Sequence, residues 1–174
     1  GRLEWEKGID RLIDIWLSVH NTHPDWVLDI YGQGMLQDEL QQKILAANAG
    51  TYIHLKGSSP DIMYEYLNCS LLVLTSRYEG FPMALLEAMA CGVPCVTYDC
   101  PFGPRSMITN MRNGILVEEG DKKEMVDKIN YLIENEKNRK KIGTNARKYV
   151  LQYSQKNIMD KWNILFNNCL TLTS

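Results

Sequence analysis

The sequence predicts an α/β fold, a doubly wound parallel sheet with helices on both faces, and three observations carry that prediction. Short β-type runs alternate with segments of helical period from one end of the chain to the other. The runs are near-continuously apolar, as strands covered on both faces must be. Glycine and proline punctuation separates them, with no linker, repeat or low-complexity tract, so residues 1–174 read as a single domain.

The elements follow in order. After "GRLEWEKG", the residues Ile9, Leu12, Ile13, Trp16 and Leu17 recur at three-to-four spacing and predict a helix, closed by "HNTHPD" with Pro24 as a stop. "WVLDIYG", Trp26 to Gly32, predicts a strand. A helix from about Met35 to Ala47, a strand from Tyr52 to Lys56, a short helix from near Pro60 and a strand from Leu71 to Thr75 come next. "SRYEGFPMALLEAMACG", Ser76 to Gly92, supplies a helix from Pro82 to about Cys91, with proline in the first helical position and Gly92 as the cap. Pro94 to Tyr98 and Gly114 to Val117 complete five strands, the last introduced by an Asn113-Gly114 turn. Beyond Asp121, a good N-cap, the pattern is helical: Met125, Ile129 and Leu132 form one stripe, and Trp162, Leu165, Phe166 and Cys169 another. A sheet of this class opens with a strand, yet only a few residues precede the first helix. Either that strand lies outside this sequence or Arg2 and Leu3 keep its end.

Composition narrows the function. The chain is 45% hydrophobic and 23% charged with a formal net charge of -2, which argues against nucleic acid as a partner. No run of eighteen apolar residues occurs and "GRLEWEKG" lacks the parts of a signal peptide, so an intracellular chain is expected. Five cysteines without a C-x-x-C pair read as reduced core residues, and His20, His23 and His54 lack the pattern of a metal site.

In open α/β sheets, ligands bind where strand ends feed into helices, and three such turns carry chemistry. Arg2 and Lys7 place a guanidinium and an ammonium around the start of the first helix, suited to phosphate oxygens. "YGQGML" has Gly32 and Gly34, which let backbone approach a ligand, but Gln37 stands where a dinucleotide fingerprint needs its third glycine. In the third turn, Gly80, Phe81, Met83 and Ala84 surround a helix amino end, an anion site. Glu79 precedes it, and Glu87 lies about 7.5 Å along the axis from Pro82. Carboxylates beside a phosphate are repulsive, so both are better explained as acceptors for hydroxyls flanking a diphosphate, the layout of a nucleotide-sugar.

Taken together, "GRLEWEKG", "YGQG", "HLKG" and above all "SRYEGFPMALLEAMACGVPCV" resemble the carboxyl-terminal domain of the retaining family 4 glycosyltransferases. The resemblance spans nearly the whole chain, and "CPFGPRSMI" looks most like enzymes of capsular or cell-surface polysaccharide synthesis. It implies a Rossmann-like half of a two-domain GT-B fold, with the acceptor, a glycan or lipid-linked glycan, held by an amino-terminal domain. It further implies a nucleoside diphosphate sugar donor, retention of configuration, no metal and no cofactor. The full-length enzyme would work in the cytoplasm, at the inner face of the membrane.

Residue by residue, it assigns Arg2, Lys7, Gly80, Phe81 and Met83 to the donor diphosphate. Glu79 falls to the transferred sugar as the candidate catalytic group, Glu87 to the ribose, and Ser58 and Ser59 to the nucleobase loop. Ser106 stands where the family often has a glutamate. Rival readings are a sugar-nucleotide epimerase or phosphorylase of the same fold, or a non-catalytic nucleotide-binding module. An apolar or mixed patch is expected where a partner domain would sit.

Overall fold

The computed structural model describes residues 1–171, and within it the predicted alternation holds. The order is α1 (Ile9–His20), β1 (Leu28–Tyr31), α2 (Gln37–Ala46), β2 (Ile53–Gly57), α3 (Ile62–Asn68), β3 (Leu72–Leu74) and α4 (Met83–Ala90). β4 (Cys95–Tyr98), β5 (Ile115–Val117), α5 (Lys122–Glu134), α6 (Glu136–Val150) and α7 (Gln155–Thr171) follow. All strand pairs are parallel, β1 with β2 and β3 with β4 with β5.

The strands form two ladders rather than one. Among the described residues, no ladder joins β1 to β3. The opening residues lie along the end of β1 instead: the Gly1 nitrogen donates to the Tyr31 carbonyl at 2.8 Å and Leu3 N–H to the Gln33 carbonyl at 2.9 Å. These bonds skip alternate residues on both chains, the spacing of a parallel ladder. Leu3 is buried.

Two apolar clusters hold the layers. Ile13, Trp16, Ile44, Ile53, Val96, Ile115, Met125 and Ile129 join α1, α2 and α5 to the strands, while Leu85, Met89, Val93, Cys95 and Ala146 join α4 to α6. The Met125, Ile129 and Leu132 stripe is fully buried, and Asp121 caps α5 by accepting the Glu124 N–H at 2.8 Å.

Three expectations change. Pro82 sits at the N-cap of α4, not in its first turn, because its ψ of 86° is not helical; its carbonyl takes the Leu85 and Leu86 amides. The Trp162, Leu165, Phe166 and Cys169 stripe of α7 is exposed rather than buried, its Trp162 and Phe166 rings stacked on each other. The cysteines are not uniformly core: Cys95 and Cys100 are buried, Cys91 is half-buried and Cys69 exposed.

α6 packs closely on the turn that ends α4. A Cβ on Gly143 would come within 2.0 Å of the Gly92 carbonyl oxygen. Alanine in a helix interior ordinarily gains about 0.5–1 kcal/mol over glycine. Here the sign is expected to reverse, with Gly143→Ala losing about 2 kcal/mol in denaturant unfolding as overpacking forces the helices apart. A stabilised variant would show that this packing is loose.

Candidate functional site

A cleft of about 1150 Å³ opens at the carboxyl ends of the strands. Its inner wall is apolar, lined by Leu12 and Trp16 of α1 and by residues of β1 and β3. Its mouth is polar, with Arg2, Lys7, Glu65, Glu79 and Glu87.

The mouth is built from two loops fastened face to face. One, Glu4 to Gly8, makes a 3-10 turn over Trp5–Lys7 before α1; the other runs from β3 to α4. Gly8 has a φ of 63°, and a Cβ there would fall 2.1 Å from the Thr75 carbonyl, so only glycine allows both the turn and the contact. The Thr75 hydroxyl donates to the Gly8 carbonyl at 2.8 Å, buried. Arg77 makes the larger connection. Its guanidinium grips Asp10 bidentately at 2.8 and 2.6 Å, donates to the Trp5 carbonyl at 2.7 Å and stacks 4.8 Å above the Trp5 ring. Its backbone N–H donates to the Glu6 carbonyl at 2.7 Å. The Arg77 hydrogen bond holds the Asp10 carboxyl below its ordinary value, outweighing a smaller opposite effect of burial.

The two loops bring Lys7 to Glu79. The ammonium lies 2.8 Å from Glu79 Oε1, and the Ser76 hydroxyl donates to that same oxygen at 2.7 Å. Glu79 is 8% exposed, so a charge that desolvated needs such partners. Its Oε2 has no hydrogen-bond partner among the described residues. No side chain caps α4, and Met83 and Ala84 line the cleft at its amino end, where the backbone N–H groups of a first turn lack helical partners. Glu87, one and a half turns on, accepts from the Tyr66 hydroxyl at 3.3 Å. Burial, and then Glu87, push the Tyr66 phenol up.

The far end of the cleft is braced separately. Tyr31 donates to Glu65 Oε2 at 2.7 Å, and Ser59 to Oε1 at 3.3 Å. Burial, and then Glu65, push the Tyr31 phenol up to about 12.

The structure therefore gathers Arg2, Lys7, Gly32, Ser58, Ser59, Glu79, Phe81, Met83 and Glu87 around one cleft. Gly34 and Gly80 do not line it. The space of a Cβ at Gly32 and Gly34 is taken by this chain's own Gly1 and Leu3 carbonyls, so their room admits the opening segment. Gly80 faces open space. Sequence reasoning missed Asp10, Ser76 and Arg77, which position the loops, and Tyr31, Glu65 and Tyr66. Ser76 and Arg77 stand inside the quoted motif, and that adjacency was the available signal. Among the described residues, no cluster of three His, Cys, Asp or Glu could hold a metal ion, and no helix is long and apolar enough to cross a membrane.

Residues 1–149 match the family of glycosyl transferases group 1. The chain belongs to that family. This group 1 glycosyltransferase domain is 33% identical over 167 residues to an amylovoran biosynthesis glycosyltransferase, AmsD, of Erwinia amylovora, covering 96% of this chain and 46% of the relative. It is 32% identical to a poly(ribitol-phosphate) alpha-N-acetylglucosaminyltransferase of Staphylococcus aureus, covering 93% of this chain and 33% of the relative. It thus spans less than half the length of these curated relatives. Among solved structures, S. aureus TarM in complex with fondaparinux, alpha-GlcNAc-glycerol and UDP superposes with a TM-score of 0.91 at 32% identity, over 96% of this chain and 34% of that one. The C-terminal domain of a group 1 protein, LpcC, from Francisella tularensis gives 0.77 at 28% identity, over 87% of this chain and 82% of that one. The Rossmann-like domain of GT-B glycosyltransferases is the fold.

The Arg77 connection has a pH signature in this group 1 domain. Because folding depresses the Asp10 pKa, its stabilisation is present above the ordinary carboxylate range and is lost as pH falls through the lowered value. Asp10→Asn is expected to cost about 1–2 kcal/mol at pH 7, the bond being partly solvated, and progressively less as pH falls below the ordinary carboxylate range. Urea unfolding at a series of pH values downward from 7 checks this; a deficit that does not shrink at all as pH falls would point to packing rather than charge.

Proposed function

We propose that this chain is the donor-binding half of a retaining, metal-independent glycosyltransferase that transfers a sugar from a UDP-sugar in polysaccharide or cell-surface glycan synthesis. The observation that carries this reading is the spaced arrangement of Lys7–Glu79, the uncapped amino end of α4 and Glu87 along one cleft. Relatives named for glycan-building transfers, and one structure of TarM holding UDP, support it.

On this reading the diphosphate lies at the amino end of α4, where Arg2, Lys7 and the free first-turn N–H groups stabilise the charge that grows on the leaving group. Arg2 is exposed and makes no ion pair among the described residues, so it is available to phosphate. Lys7 keeps hold of Glu79 through one of its three donors and offers the others. Glu79 Oε2 accepts from hydroxyls of the transferred sugar and positions that ring, while Glu87 takes the ribose hydroxyls and the Ser58-Ser59 loop borders the base. Retention follows from same-face substitution: the sugar–phosphate bond breaks, the acceptor oxygen forms the new bond on that face, and its proton passes to the departing diphosphate. The acceptor is held by a separate domain, so the isolated chain binds nucleotide weakly and transfers nothing.

Calorimetry with UDP, GDP and ADP tests the reading. UDP is expected to bind with the highest affinity, and Glu87→Ala to weaken it about tenfold to a hundredfold, the worth of a charge-assisted hydrogen bond. Absence of nucleotide binding, or affinity unchanged in the variant, would contradict the ribose role.

A further inference from the structure

Tyr66 of α3 and Glu87 of α4 both line the cleft, and they differ in how firmly each is held. Tyr66 is buried in the same apolar cluster as Leu85, Ala88 and Met89, so packing fixes the two torsions that set its hydroxyl. It is a rigid donor. Its helix is anchored as well: the adjacent Glu65 accepts from Tyr31 and Ser59, which ties α3 to β1 and to the Ser58-Ser59 loop. Burial, and then Glu87, raise the phenol pKa, so the hydroxyl stays protonated across the neutral range.

Glu87 is the opposite case. It is half-buried on a long, rotatable side chain, and the Tyr66 hydroxyl, 3.3 Å from Oε2, is its hydrogen-bond donor among the described residues. Glu79, by contrast, has both Lys7 and Ser76 on one oxygen. Loss of the Tyr66 hydroxyl would leave the Glu87 carboxylate free to rotate. That matters for a vicinal diol, which needs an acceptor oxygen for each hydroxyl in one orientation, and hydrogen bonds weaken steeply with misalignment. The bond from Tyr66 occupies one acceptor position on Oε2 and leaves Oε1 open.

We propose that Tyr66 is the positioning residue for ribose recognition. It fixes the plane of Glu87 so that both carboxylate oxygens meet the 2′- and 3′-hydroxyls, and it thereby sets the preference for ribonucleotides over nucleotides that lack them. The assignment rests on the donor reading above, in which Glu87 takes the ribose.

Calorimetry on the full-length protein with UDP and with 2′,3′-dideoxy-UDP, which lacks both hydroxyls, tests it. Wild type is expected to favour UDP about tenfold to a hundredfold, the worth of a charge-assisted hydrogen bond. Tyr66→Phe keeps the ring and so the packing. It should leave the affinity for dideoxy-UDP unchanged while the preference for UDP shrinks about three- to tenfold. In a Glu87→Ala background the same change should not alter the preference, since the two residues act as one unit. A preference that Tyr66→Phe leaves intact, or equal weakening toward both nucleotides, overturns the positioning role and makes Tyr66 a packing residue. Equal binding of the two nucleotides by wild type, or no binding of UDP, is a separate result, one that overturns the ribose role of Glu87 and this assignment with it.

Discussion

The Arg77 guanidinium is the constraint on which the site depends. The groups that define the cleft mouth come from loops some seventy residues apart in sequence, one ahead of α1 and the other between β3 and α4. Each loop alone is short, polar and partly solvated, and would not hold a lysine against a buried carboxylate. Arg77 ties them through a side-chain pair with Asp10, a bond to the Trp5 carbonyl, a ring contact and a backbone bond to Glu6. Arginine suits the task because its rigid fork satisfies carboxylate and carbonyl together while its flat face lies on indole; lysine would keep only the charge.

With the loops fixed, Glu79 becomes a carboxylate whose surroundings are prescribed on three sides. Ser76 and Lys7 take one oxygen, and Gly103 closes on the stem. That leaves the other oxygen without a hydrogen-bond partner among the described residues, open in the proposed reading to a hydroxyl. Such preorganisation matters in transfer chemistry, where a misplacement of about 1 Å can cost a hundredfold in rate. Under the proposed donor reading, the same geometry would let a carboxylate border the diphosphate, since Lys7 offsets its charge from within the protein.

Much of this was legible in the sequence, and the remainder was hidden for a physical reason. The strands, the helices and the Glu79–Glu87 spacing depend on neighbours within a dozen residues, and periodicity reports such neighbours directly. The Lys7–Glu79 pair and the Arg77–Asp10 pair join residues 72 and 67 positions apart, and no local pattern encodes that juxtaposition. The sequence reads Gly32 and Gly34 as room for a ligand to approach, but the backbone that fills that room is the chain's own opening segment. Trp162, Leu165 and Phe166 show the converse: their stripe has helical period yet lies exposed, because periodicity marks a face that wants covering and not what covers it.

The central claim is that Glu79 addresses the sugar and not the nucleotide, with Lys7 shared between Glu79 and the diphosphate. Its most direct test is the affinity of Glu79→Gln for UDP and for UDP-glucose and UDP-N-acetylglucosamine, measured side by side with the wild type in the full-length protein. UDP is expected to bind the variant as well as or better than wild type, because Lys7 is released from its carboxylate, while the extra affinity supplied by the sugar disappears. Equal weakening toward UDP and both UDP-sugars would contradict it and make Glu79 a support for Lys7 alone.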